Sequence, residues 1–462
     1  MSPLVPLALF GFLPLVLYLF NRFPGQRAVV VSFVLGFLFL PQPGFLARYP
    51  IVPGLPPYEK ISALSYCVLL GILFFDSGRI NSFKPGWIDL PMLSWCLCPI
   101  AAQIANGLSP ISPTTGQIIT WGVPYFIGRI YFNDLAGLRQ LAVGIFAGGM
   151  VYAPLCLLEM RISPTLHLRI YGYHARADFA QTMRYGGYRP TVLLEHGLWV
   201  GVWMMAATLL GILLWRTAII KKLWNYPMSW LVPVLIVTFI LVKSTGAYLY
   251  LLMGIGIWFT SRWLRTALPL LLLSVAISLY LYLGATGDLY RIPQVNAFLV
   301  ASENTDNDRS ASVAFRIANE KLLAAKAQQR MMFGWGDSGG NRIYDELGND
   351  ISVTDSLWII AYGQQGVFGL ISFTAMLIVP SLGFVFLRYP PGTWSNRKVA
   401  PAVGLALILV LYLLDSILNA MFCPVFMLAN GGLAGLVLKE PETNRAKRVR
   451  AAPPRRALAQ QR

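Results

Sequence analysis

The chain has 462 residues, of which 56% are apolar and only 12% charged, about half the charged share of a soluble chain. That balance excludes a soluble enzyme, a secreted disulfide scaffold, a coiled coil and a nucleic-acid-binding domain, because a chain so poor in charge cannot cover a folded surface in water. The formal charge of +17 reflects a shortage of acid, 20 Asp plus Glu against 37 Lys plus Arg, and an integral membrane protein built mostly of helices is the expected class.

Apolar runs long enough to cross about 30 Å of hydrocarbon as helix are expected near 3–20, 28–44, 60–75, 88–105, 115–131, 138–158, 196–215, 228–243, 245–260, 266–284, 356–387, 400–420 and 422–438. The expected fold is all-α: a polytopic bundle of about 12–13 transmembrane helices over residues 1–438, then a basic tail, 439–462, expected to be cytoplasmic and disordered. The first run lacks a charged n-region and a cleavage pattern, so a retained span is expected in place of a signal peptide. Two pairs are the least sharply bounded: the short runs flanking Lys243 and the last two, which Pro424 separates.

Basic residues gather in alternate linkers: Arg22 with Arg27, Arg79 with Lys84, Arg129 with Arg139, Arg216 with Lys221 and Lys222, Arg262 with Arg265, and Arg388 with Arg397 and Lys398. The tail adds eight basic and two acidic residues, a net of +6, and has no aromatics, which argues against a nucleic-acid surface. Keeping these segments cytoplasmic places the C-terminus inside, the N-terminus outside and two long loops, about 159–195 and 285–355, on the outer face. Any chemistry is expected there. Residues 288–355 hold ten acidic and seven basic residues, a net of −3. Cys67, Cys96, Cys98, Cys156 and Cys423 all lie in or beside apolar runs and are expected as packed free thiols, with no metal site among them.

The first loop concentrates arginine: Arg161, Arg169, Arg176, Arg184 and Arg189, leading into Glu195-His196 at the mouth of a span. Guanidinium forks match phosphate oxygens bidentately, so these arginines suit a pyrophosphate head group; interfacial arginines holding lipid phosphates are the alternative. His167, His174 and His196 are spaced too loosely for a zinc site. His196 beside Glu195 is the acid/base candidate, or else a boundary residue hydrogen-bonded to Glu195 or a head group.

In the second loop, the polar stretch 304–310 suits an N-cap for an amphipathic helix over 311–332. Val313, Ile317, Ala324 and Ala327 fall near one face, and Arg316 and Glu320, four apart, are placed to pair. This helix is expected to rest over the bundle. Phe333-Gly-Trp-Gly-Asp-Ser-Gly-Gly340 follows, with glycines that permit positive φ and close backbone approach. It reads as an anion nest, as a substrate wall of Gly334, Trp335 and Gly336, or as a structural turn; it lacks the Lys-Ser/Thr ending of a nucleotide P-loop. Asp355-Ser356 opens the next span, where Asp355 is either a plain cap or a group that orients or deprotonates a sugar hydroxyl. Asp415, with Asn419 one turn on, and Lys243 are ionisable groups within or between spans; a helix–helix hydrogen bond is the simpler reading of Asp415.

Arg316, Phe333-Gly334-Trp335-Gly336, Asp355-Ser356-Leu357-Trp358 and Gln365-Gly366-Val367-Phe368-Gly369-Leu370 together resemble the core of the bacterial O-antigen ligase and O-antigen polymerase superfamily of membrane glycosyltransferases. The resemblance covers about 60 residues, and in hydropathy and loop placement most of the chain. It implies a cofactor-free, metal-independent, inverting transfer of glycan from an undecaprenyl-diphosphate-linked donor to a glycan acceptor hydroxyl, at the outer face of a bacterial inner membrane. Flippase and chain-length regulator proteins are the candidate partners beside the lipid bilayer. By position Arg316 corresponds to the family's large-loop arginine, with Arg184, Arg189 and Arg176 as candidate partners on the diphosphate. The family's His-Asn pair is replaced by Asp355-Ser356, so Asp355, or else His196 with Glu195, is expected to take the proton. A polysaccharide polymerase is the expected activity, with an O-antigen or protein-glycan ligase and a lipid-linked glycan transporter as alternatives.

Overall fold

The structure, a computed structural model, describes residues 2–44, 47–175, 182–184, 186–297, 308–337 and 339–439. Its helices are α1 (Leu4–Arg22), α2 (Gly25–Phe39), α3 (Lys60–Phe75), α4 (Leu90–Ala105), α5 (Ile111–Gln117), α6 (Val123–Tyr131), α7 (Leu135–Ile162) and α8 (Leu166–Tyr171). They continue as α9 (Gly197–Arg216), α10 (Met228–Leu241), α11 (Thr245–Leu264), α12 (Leu268–Thr286), α13 (Asp308–Gln328), α14 (Leu357–Gly383), α15 (Ala400–Leu418) and α16 (Pro424–Leu438). Every apolar run expected from the sequence is helical, and the fold is an all-α polytopic bundle. Among the described residues seven helical stretches, those containing α1, α4, α7, α9, α12, α14 and α15, are long and apolar enough to cross a membrane, and α2, α3, α10 and α16 are shorter apolar helices.

The centre of the bundle is α9, α15 and α16, nearly every residue of which is buried, whereas α1 and α12 bury one face only. Small residues set how closely helices approach. A Cβ on Gly431 of α16 would lie 1.9 Å from the Tyr125 carbonyl oxygen, and one on Gly128 of α6 would lie 2.2 Å from that of Leu428. Proline at the first turn starts α12, α15 and α16 without leaving an N–H unpaired. At one end a buried ion pair ties α6 to the turn before α4: Arg129 Nε meets Asp89 Oδ1 at 2.7 Å and Nη2 meets Oδ2 at 3.0 Å.

Contacts at the other end bring the segment 163–196, the turn 242–244, the segment 287–356 and the turn 419–423 together; we call this the loop end. There the first loop folds as α8 and a short hairpin, β1 (Met183–Arg184) with β2 (Gly187–Tyr188). Glu159, fully buried near the end of α7, organises it by accepting from the backbone N–H groups of Leu166 (2.9 Å), Thr191 (2.8 Å) and Val192 (2.6 Å). In the second loop α13 lies against α12 and α14 with Leu323, Ala324 and Ala327 buried. It rests on the bundle, as its amphipathic pattern predicts.

Candidate anion-binding site

Two adjacent elements at the loop end position the first guanidinium. Arg189 follows β2, and its stem lies against the first residue of α9: a Cβ on Gly197 would stand 2.7 Å from Arg189 Cδ and Nε. The side chain is 4% exposed, and Nη2 donates to Ser244 Oγ at 3.1 Å. Gly201, one turn along α9, makes room for that serine, since its Cβ would lie 2.4 Å from Ser244 Oγ. The pair Gly197 and Gly201 is thus the local reason an arginine fits inside this end of the bundle.

Around Arg189 stand more cations than acids. Arg184 and Arg316 both lie within electrostatic reach, and burial together with these two like charges lowers the Arg189 guanidinium to about 10. Arg316 belongs to α13 and donates through Nη1 to the Leu418 carbonyl at the end of α15, 3.2 Å away. Lys243, in the left-handed conformation at φ 57°, sets its ammonium against Gly187, the hairpin partner of Arg184. Asp415, on the last turn of α15 and 1% exposed, lies within electrostatic reach of Arg316 and Arg189.

Two polar atoms here are buried with no hydrogen-bond partner among the described residues, Arg189 Nε and Asn419 Oδ1, while the buried Tyr250 hydroxyl is directed at the Asp415 carboxylate. Asn419 Nδ2 donates to Asp415 Oδ1 at 2.6 Å, a bond within one turn of chain and not the helix–helix hydrogen bond expected for Asp415. An unpaired buried polar group costs about 1–3 kcal/mol, and Arg189 Nε is a donor that an acceptor oxygen of a ligand would satisfy. An anion with several acceptor oxygens would meet the guanidiniums and lower their mutual repulsion.

The other residues singled out from sequence are distributed as follows. Arg161 and Arg169 are exposed, and Arg176 lies outside the described residues. His196 caps α9, its Nδ1 accepting from Leu198 N–H at 3.0 Å, and Glu195 beside it is exposed and within electrostatic reach of the buried Lys60. Asp355 is half-buried before α14, whose N-cap is Ser356. His167 is a packing histidine: Nδ1 donates to the Tyr173 carbonyl at 2.9 Å, Nε2 accepts from Gln42 N–H at 3.2 Å, and burial pushes the imidazole down to about 4.

Glu320 does not pair with Arg316 as the four-residue spacing suggests. It turns inward, 6% exposed, and accepts from the Tyr280 hydroxyl (2.9 Å), the Trp358 indole N–H (3.2 Å) and the Ser356 hydroxyl (3.4 Å). Three donors outcompete one guanidinium held by a carbonyl, and Arg316 is left facing the cluster. Burial, partly offset by those donors, raises the Glu320 carboxyl to about 7. Trp335 of the glycine motif lies between Lys326 and Arg330, 4.4 and 4.5 Å from its ring centroid, while Gly334 and Gly336 take positive φ of 69° and 65°.

Lys243, Tyr250 and Glu320 were not identified from sequence as parts of a site; a cation between two short spans and an acid among apolar helices were the available signals. Among the described residues no group of three or more His, Cys, Asp or Glu is placed to hold a metal ion. No family model matches the chain, and no curated protein matches it.

Proposed function

We propose that the protein is a membrane glycosyltransferase, a polysaccharide polymerase that moves glycan from an undecaprenyl-diphosphate-linked donor to the hydroxyl of a lipid-linked glycan acceptor. One observation supports this reading: the buried Arg189, with an unpartnered Nε, has Arg184 of its own loop and Arg316 of the second loop within electrostatic reach at the same end of a membrane bundle. A diphosphate on a lipid carrier has the charge, the oxygens and the apolar tail that this place suits.

In the reaction so proposed, the acceptor oxygen forms a bond to the anomeric carbon from the face opposite the leaving group as the bond from that carbon to the diphosphate oxygen breaks. Negative charge grows on the departing diphosphate, and fixed guanidiniums stabilise it without reorganisation. Asp415 lies within electrostatic reach of Arg189 and Arg316 and partly offsets their charge. The acceptor proton passes to Asp355 at the start of α14, with His196 as the second candidate. His196 has Nδ1 already engaged by the α9 backbone, which favours Asp355.

The test is purified protein in vesicles with radiolabelled lipid-linked repeat units. The reading expects longer glycan and released undecaprenyl diphosphate, both lost in Arg189→Ala and Arg316→Ala at normal membrane abundance. Substrate that crosses the bilayer with no new glycosidic bond would make the protein a transporter, and transfer to lipid A core or protein would make it a ligase.

A further inference from the structure

Three departures from regular backbone meet in a second place at the loop end. Between α5 and α6 the chain makes a π-helical turn, Ile118–Gly122, carrying Thr120 and Trp121. α14 breaks at Gly366, with φ 65° and ψ −161°, directly after Gln364 and Gln365. The glycine motif fills that break: Trp335 N–H donates to the Gly363 carbonyl and Gly336 N–H to that of Gln364, both at 2.9 Å, and Val367 N–H donates to the Met331 carbonyl at 2.8 Å. Inside a membrane bundle, irregular backbone is tolerated where it is buried in protein or lines a cavity, and π-turns recur at functional sites.

Between these three irregular segments is a cavity of about 190 Å³ whose lining includes Gln103, Gln117, Gln364, Gln365, Asp337 and Trp121. Gln103 is 2% exposed, and Gln365 is 7% exposed with its Oε1 buried and unpartnered among the described residues. Among the described residues no lysine, arginine or histidine lines the cavity, so an anion has no counter-charge there, and an apolar ligand would leave the Gln365 carboxamide oxygen unsatisfied. Carboxamides both donate and accept, and a carboxylate accepts twice, which is the complement of adjacent hydroxyl groups. The cavity has room for a sugar ring and opens to solvent on one side. None of Arg184, Arg189, Lys243, Arg316 and Asp415 is among the residues lining the cavity, so the cavity is separate from the arginine cluster.

We infer that this cavity is a carbohydrate subsite that binds a single neutral sugar residue. It does not depend on the transfer chemistry proposed above, although a polymer acceptor reaching from the arginine cluster is its natural occupant. The probe is a panel of neutral methyl glycosides with the full-length protein in nanodiscs free of sugar detergents, read by saturation-transfer NMR. At least one glycoside receives saturation from the wild type. Binding weakens about tenfold in Gln365→Leu and in Asp337→Asn, as expected for the loss of one or two hydrogen bonds, and is unchanged in Arg316→Ala, which separates this subsite from the transfer site. Asp337 is exposed on the glycine turn, so its variant reports even where Gln365→Leu disturbs the break in α14. Silence from every glycoside, or wild-type binding in both variants, overturns the inference.

Discussion

Arg189 is a buried cation whose nearest charged neighbours are mostly cations, and that arrangement has measurable consequences. Replacing Arg316 by Lys keeps the charge but loses the planar fork, so turnover should fall about ten- to a hundredfold, the loss of one or two charge-assisted hydrogen bonds. Glycan product per mole of inserted protein checks this, and wild-type turnover would remove Arg316 from the site. Glu320 yields a pH prediction. Its folded carboxyl titrates near 7 against 4.5 for the free side chain, so the ionised form is the disfavoured one in the fold. Its contribution to stability is full below pH 4.5 and is lost as pH rises through 7, on the order of 3 kcal/mol by linkage. Thermal unfolding across pH 4.5 to 7.5 should show this decline in the wild type and a flatter profile in Glu320→Gln; equal slopes would contradict the assignment.

Helices in this chain are placed by glycine as much as by hydrophobicity. Gly197→Ala inserts a methyl into the Arg189 stem, so it should weaken binding of undecaprenyl diphosphate about tenfold, as Arg189→Ala does, in a protein that still inserts and purifies normally. Gly431→Ala collides with a main-chain carbonyl of α6 and should cost about 1–3 kcal/mol or more. Gly256→Ala, with nothing within 4 Å, should stabilise α11 by up to about 1 kcal/mol. Melting temperatures of the two purified variants measure the contrast. The helices themselves were legible because long apolar runs with few charges have one stable form in hydrocarbon. The inward turn of Glu320 was not, since it depends on donors from Tyr280, Ser356 and Trp358 on two other helices, up to 40 residues away in sequence. The same holds for the first loop, whose shape follows from Glu159 binding N–H groups up to 33 residues further on.

For the whole molecule, of the four arginines expected on a diphosphate, Arg176 lies outside the described residues, and Arg316 of the second loop, 127 and 132 positions beyond Arg189 and Arg184 of the first, lies with Arg184 within electrostatic reach of Arg189. Composition and spacing pointed to the segments; only packing reveals that Arg161 and Arg169 stay exposed while Arg189 is enclosed, and that Lys243 and Asp415 complete the surroundings. One lipid diphosphate is expected to occupy that place. A cryo-EM map of the protein with undecaprenyl diphosphate decides it: phosphate oxygens within about 3 Å of the Arg189 and Arg316 guanidinium groups are the predicted result, and a diphosphate bound away from both arginines would contradict it.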